Sequence, residues 1–226
     1  MTALIACSHG TSDVAGRAAI SSVIDDVRTL LPDVRVVAAV VDVEQPQIDE
    51  VLAQETADQV VVVPVLLSVG YHTSVDISEA VGAHPRARQA DPLGTHPLIA
   101  DILVDRLAAA LPDGWRDGDH VVLAAAGSSN PAAAQDVDLV AERLRTRVPA
   151  PVTVGFASAS TPRVADAVAA ARSAGARRVI AASHLLAPGF FAGLIRSAGP
   201  DVVTAPLAPD PRIARIITDR FRAMPR

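Results

Sequence analysis

The sequence has a single cysteine, Cys7, among 226 residues. That excludes an internal disulfide and any zinc or iron–sulfur site built from several thiolates. Aromatic residues are scarce, at 3%, and the net charge is −5. The chain therefore has neither the stacking surface nor the basic field that nucleic acid requires, and no nucleic-acid partner is expected. No apolar run reaches the ~18 residues that span a bilayer, so no membrane partner is expected either. The first apolar segment starts at Ala3 and runs straight into the polar turn Ser8-His9-Gly10. A secretory leader would need a charged region, an apolar stretch and a cleavage site there, so the expected localisation is cytoplasmic. What the chain does have is 50% hydrophobic residues, enough for a full core, and six histidines. These are His9, His72, His84, His96, His120 and His184.

The length allows one large domain or two of about 110 residues. Short apolar runs alternate with helical patterns. Leu4-Ile5-Ala6-Cys7 reads as a strand, followed by a helix from Val14 to Leu31, stopped by Pro32. Val34 to Val43 and Val60 to Leu67 read as buried strands, with a helix between them in which Pro46 takes the first helical position. A helix from about Ser74, a weaker strand before Asp91-Pro92 and a helix from Pro97 to Leu111 complete the half. Continuous apolar strands alternating with helices predict an α/β fold with a parallel sheet covered on both faces.

The polar stretch 112–120 interrupts this order and reads as a linker. After it the pattern repeats. Leu4 to Ser12 matches Val121 to Ser129 at an offset of 117, and Pro46 matches Pro162 at 116. Leu66-Leu67 with Gly70 matches Leu185-Leu186 with Gly189 at 119, and Pro92 to Arg106 matches Pro206 to Arg220 at 114. The expected domains are therefore 1–111, carrying the site, and 121–226, a second copy of the same α/β unit.

Each copy serves as a structural control for the other. At the first strand end His9 stands opposite Ala126, at the second Glu44 opposite Ser160, and at the third His72 opposite Phe191. Open parallel sheets bind ligands outside the carboxyl ends of their strands. Two imidazoles and a carboxylate at three such ends form a nitrogen/oxygen set suited to a divalent transition metal, with open positions left for substrate. Taken singly, His9 and His72 could be solvated or capping turn residues, and Glu44 a first-turn charge favoured by the helix dipole. His96, opposite Asp210 and before Pro97, reads first as a helix cap. His84 and His120 read as exposed loop residues, and His184 and Cys7 as packed strand residues. Gly127-Ser128-Ser129-Asn130 lacks both a Walker lysine and the spaced Rossmann glycines.

Together, Ser8-His9-Gly10-Thr11, Glu44-Gln45-Pro46, Pro64-Val65-Leu66-Leu67, Gly70-Tyr71-His72 with Val75-Asp76-Ile77, and Pro92-Leu93-Gly94-Thr95-His96-Pro97 resemble the sirohydrochlorin chelatases. These are class II metal chelatases, and the resemblance covers the whole chain in the long form with two fused halves. It implies two similar three-layer α/β/α lobes with parallel sheets and a cleft between them, the metal ligands lying in the first lobe alone. It further implies insertion of Fe²⁺ or Co²⁺ into sirohydrochlorin, for sirohaem or cobalamin; some relatives use Ni²⁺. The metal is then a substrate, and no organic cofactor or ATP is expected.

Carried over residue by residue, the resemblance makes His9, Glu44 and His72 the catalytic and metal-binding set. It places Ser8, Gly10, Thr11, Gly70, Tyr71 and His96 around the tetrapyrrole. Thr11-Ser12 departs from the Ser-Arg that many relatives carry after His-Gly. The eight substrate carboxylates need cations, for which Arg17, Arg86, Arg88 and Arg196 are candidates. Tyr71, Phe190 and Phe191 are the few rings available to a flat macrocycle. A monomer or homodimer is expected. The alternative is a non-catalytic divalent-metal binding or delivery protein with the same three ligands.

Overall fold

The protein is described here by a computed structural model that covers residues 1–68 and 71–225; the side chains of residues 71–74 also lie outside the description. The first half runs β1 (Thr2–Ser8), α1 (Val14–Leu30), β2 (Arg35–Val40), α2 (Ile48–Gln54), β3 (Gln59–Pro64), α3 (Tyr71–Gly82), β4 (Ala87–Gln89) and α4 (Pro97–Ala110). The second runs β5 (Asp119–Ala125), α5 (Pro131–Arg145), β6 (Val152–Phe156), α6 (Val164–Ser173), β7 (Arg178–His184), α7 (Phe190–Ser197), β8 (Val202–Val203) and α8 (Pro211–Arg222).

The strands form two parallel sheets, ordered β2-β1-β3-β4 and β6-β5-β7-β8. The offsets read in the sequence carry one register onto the other. Leu4 pairs Val36 and Val61 in the first sheet, and Val121 pairs Val152 and Ile180 in the second. Adding 117 to Leu4, 116 to Val36 and 119 to Val61 gives those three partners. The fourth strand obeys the same rule, since Val61–Arg88 becomes Ile180–Val202 with 114 added to Arg88.

Alternate residues of each strand face opposite layers. Ala3, Ile5, Cys7, Val60 and Val62 pack with Ile48, Val51 and Leu52 of α2 and Ile77 of α3. In the second sheet Val122, Ala124, Val179 and Ala181 pack with Val164, Ala167 and Val168 of α6 and Ala192 and Ile195 of α7. The opposite faces are covered by α1 with α8, and by α4 with α5. Both lobes are thus three-layer α/β/α sandwiches.

The division of the chain differs from the halves read in the repeat. One compact unit contains residues 1–94 and 208–226, the other 95–207. The last helix of each half therefore completes the other half's sheet. Its apolar face is fully buried there: Ile99, Ile102, Leu103 and Leu107 in α4, and Ile213, Ile216 and Ile217 in α8. Two equivalent arginines bind the exchange. Arg106 donates through Nε and Nη2 to the carbonyls of Pro206 and Leu207, both at 2.9 Å. Arg220, its repeat mate, reaches the Leu93 carbonyl at 3.5 Å.

The stretch 112–120 accordingly lies within the second unit and is not a linker. Asp119 and His120 belong to β5. The nearly buried Asp119 carboxylate accepts from Arg178 at 2.7 and 2.6 Å and from the Arg116 N–H at 2.8 Å. The Arg178 guanidinium holds its pKa below the ordinary aspartate range. Polar residues that look like spacer in sequence are here the ligands of one ion pair.

Pro46 is likewise not the first residue of α2. The helix starts two residues later, because the Pro46 carbonyl is held by the Val40 N–H at 3.0 Å at the end of β2. The same helix ends at Gln54, since the buried Glu55 carboxylate takes up the N–H groups of Thr56 and Ala57.

Candidate functional site

The carboxyl ends of β1, β2 and β3 adjoin in one sheet. His9 follows β1 directly and is exposed. Its backbone is fixed by Asp42, whose N–H donates to the His9 carbonyl at 3.0 Å. Its Nδ1 lies 3.3 Å from the Gly10 carbonyl oxygen. A carbonyl only accepts, so the Nδ1–H tautomer is the neutral form that suits this contact, and in that tautomer Nε2 keeps the lone pair a metal needs.

Gly10 has a backbone reason to be glycine. Its φ is +92°, and a Cβ there would collide with the Asp42 carbonyl oxygen. Gly127, its repeat mate, has φ +88° and meets the Ser158 carbonyl in the same way. Ser8 is buried at the end of β1, and Thr11 is half-buried in the turn that follows.

Glu44 is engaged within the turn. Its Oε1 accepts from the Thr11 N–H at 2.6 Å, and its Oε2 lies 3.7 Å from Arg17 Nε. The second unit makes the same tie by other means: Ser160 Oγ accepts from the Ser128 N–H at 3.1 Å and donates to the Ser128 carbonyl at 2.9 Å. Residues that differ chemically in the two repeats thus share one backbone task, the latching of the first strand-end turn to the second. The contrast between Glu44 and Ser160 is accordingly weaker evidence for metal binding than the histidine contrasts.

Gly70 falls outside the described residues. Tyr71 and His72 open α3, but their side chains lie outside the description. Among the described residues no group of three His, Cys, Asp or Glu side chains gathers to hold a metal. The third expected ligand, His72, belongs to the side chains not described.

His96 is the N-cap of α4, its Nδ1 accepting from the Leu98 N–H at 3.3 Å. Asp210 caps α8 equivalently, accepting from the Arg212 N–H at 3.0 Å. His96 also belongs to the second compact unit, whereas Ser8 to Thr11 belong to the first.

Arg86 leaves the set of candidate substrate cations. Its guanidinium donates to the Glu55 and Thr56 carbonyls at 3.0 and 3.1 Å, at the opposite end of the sheet, where β3 begins. Arg17 pairs with Glu44; Arg88 and Arg196 are exposed. Cys7 is a packed strand residue, its thiol pushed up to about 12 by burial. His184 is packed as expected, and burial pushes its imidazole down to about 4. His84 and His120 are half-buried rather than exposed, and His120 lies in a strand with Nε2 3.0 Å from Thr153 Oγ1.

The CbiX family model matches residues 3–110 and again residues 120–224. The chain belongs to the CbiX family. A sirohydrochlorin ferrochelatase of Priestia megaterium is 26% identical over 154 residues, 65% of this chain; the chain spans 58% of that protein's length. A sirohydrochlorin cobaltochelatase of Methanopyrus kandleri is 26% identical over 140 residues, covering 49% of this chain and 98% of that protein. SirB from Bacillus subtilis, solved with Fe³⁺, superposes with a TM-score of 0.78 at 19% identity, over 98% of this chain and 94% of that one. The structure of CbiX, described as the terminal enzyme of sirohaem biosynthesis in denitrifying bacteria, gives 0.75 at 19% identity over 99% and 100%. These likenesses establish the CbiX fold for both repeats. Among the described residues no helix is long and apolar enough to cross a membrane.

Proposed function

We propose that the protein is a sirohydrochlorin chelatase that inserts a divalent metal, Fe²⁺ or Co²⁺, into sirohydrochlorin. The observation that carries this reading is the family match across both repeats, with His9 exposed at the carboxyl end of β1. His9 Nε2 and His72 take the incoming metal, and Glu44 serves as third ligand or proton acceptor. Insertion exchanges two pyrrole protons for the metal, so the net products are the metallated ring and two protons. Histidine, with an ordinary pKa of about 6.5, can accept one of them at neutral pH. Neutral imidazoles and a carboxylate hold a divalent ion and also release it, which a thiolate set would do less readily. Ser8, Gly10, Thr11, Gly70, Tyr71 and His96 contact the tetrapyrrole. The reaction consumes no organic cofactor, and the protein works in the cytoplasm as a monomer or homodimer.

Mixing the purified protein with sirohydrochlorin and Co²⁺ or Fe²⁺, and following absorbance, tests the reading. Metallation faster than the spontaneous rate is expected, with His9→Ala abolishing the acceleration while leaving the circular dichroism spectrum unchanged. A wild-type protein that binds the metal without accelerating insertion would instead be a metal-delivery protein.

A further inference from the structure

At the amino end of the second sheet the two repeats part company. In the first unit the buried Glu55 follows α2. Its Oε1 accepts from the N–H groups of Thr56 and Ala57 at 2.9 and 3.0 Å, and its Oε2 meets Arg35 Nε at 3.2 Å. The offset of 119 sets Ala174 opposite Glu55, and the offset of 116 sets Pro151 opposite Arg35. The second unit has no need of the carboxylate, since its Gly175 and Ala176 N–H groups donate to the Arg172 and Ala171 carbonyls, each at 3.0 Å. Two long side chains are exchanged for two short ones, and Pro151 and Ala174 line an open cavity of about 390 Å³. Small-molecule sites have volumes of roughly 300–1,000 Å³.

The lining has a definite chemistry. Pro149, Pro151 and Ala174 make it apolar. Trp115, the protein's single tryptophan, is half-buried between α4 and β5 and lines the same cavity. Arg116 and Asp117 add one cation and one anion. The Arg116 guanidinium donates from Nη2 to Asp113 Oδ2 at 2.8 Å, but both side chains are exposed. Such a pair is weak, so the guanidinium can be recruited by a ligand. Asp117 is exposed and has no ion-pair partner among the described residues. The other ionisable groups of the lining are committed. Asp119 is taken up by Arg178 and the Arg116 N–H, and His120 Nε2 lies 3.0 Å from Thr153 Oγ1. Burial lowers the His120 pKa, so the imidazole brings no charge at neutral pH.

One recruitable cation and one unpaired anion beside apolar walls are the complement of a zwitterion with an apolar side chain. We propose that this cavity binds a free α-amino acid with an aliphatic or aromatic side chain, its carboxylate on Arg116, its ammonium at Asp117 and its side chain against Trp115 and Pro151. A guanidinium meets a carboxylate through two parallel N–H donors, and an indole offers a rigid apolar face. The proposal goes beyond the chelatase reading and does not rest on it.

Tryptophan fluorescence provides the test, because Trp115 is the only emitter of its kind and stands in the cavity wall. L-phenylalanine and L-leucine, titrated into the full-length protein, should each change the emission saturably. Phenylacetate, which lacks the ammonium, and phenethylamine, which lacks the carboxylate, should bind at least about tenfold more weakly than phenylalanine. Arg116→Gln, at an exposed position, should weaken phenylalanine binding about tenfold with an unchanged circular dichroism spectrum. The double variant A174E/P151R restores the side chains of the first unit and should abolish the response. A wild type that shows neither an emission change nor a heat of binding with either amino acid would overturn the proposal. So would phenylacetate or phenethylamine binding as tightly as phenylalanine, or wild-type affinity in Arg116→Gln or in folded A174E/P151R. Sirohydrochlorin and metal take no part in these titrations, so each of these results leaves the chelatase reading as it was.

Discussion

Glu44 shows how one side chain can hold a fold and remain available for chemistry. Its Oε1 is the acceptor for the Thr11 N–H. Gln keeps that acceptor and removes the charge, whereas Ala removes both. Glu44→Gln should stay within about 0.5 kcal/mol of wild type in urea unfolding, and Glu44→Ala should lose about 1–2 kcal/mol. Metallation should fall in both, and its survival in Glu44→Gln would reduce the residue to a latch. His184 carries a different prediction. Its Nε2 is buried without a partner, and the imidazole is held neutral down to about pH 4. The unfolded chain binds its proton near pH 6.5, so between those values the unfolded state holds more protons. The contribution is fully present above about 6.5 and is lost progressively as pH falls toward 4, by at most about 3 kcal/mol. Replacing His184 with valine, the residue at the equivalent Val65, should flatten the fall in urea midpoint between pH 7 and pH 5. An unaltered slope would assign that dependence to other groups.

At the scale of elements, the strands and their register were legible because each strand is a local apolar run with turn residues at both ends. The turn glycines were legible for a related reason. Gly10 and Gly127 recur at one offset, and both accept a positive φ beside a carbonyl that excludes Cβ. Gly127→Ala should therefore destabilise the second unit by about 2–4 kcal/mol in urea unfolding, although no metal ligand is nearby in sequence. The latch of Glu44 and Ser160 was hidden, because a carboxylate and a hydroxyl look unrelated until their shared partner is seen. The helix partners were hidden as well. An amphipathic helix shows that one face must be buried, and says nothing of which sheet will bury it. The repeat makes α4 and α8 equivalent, and that equivalence is compatible with either partner.

At the scale of the whole molecule the exchanged helices decide which parts of the chain fold together. Ending the chain at Leu207 removes α8, which the first unit needs. Hydrogen exchange of that shortened protein should lose protection in β1 and β3 and keep it in β5 and β7. Loss confined to β5 and β7 would mean that each half closes on itself.

The exchange also bears on synthesis. The second unit, residues 95–207, is complete before the first, whose last segment is 208–226. At about 5–20 residues per second the first sheet waits on the order of ten seconds for its final helix. The lobe that is made first, and that carries His9, is therefore the last to be finished. Until residues 208–226 leave the ribosome, a parallel sheet with one face incompletely covered depends on whatever in the cell shields nascent apolar surface.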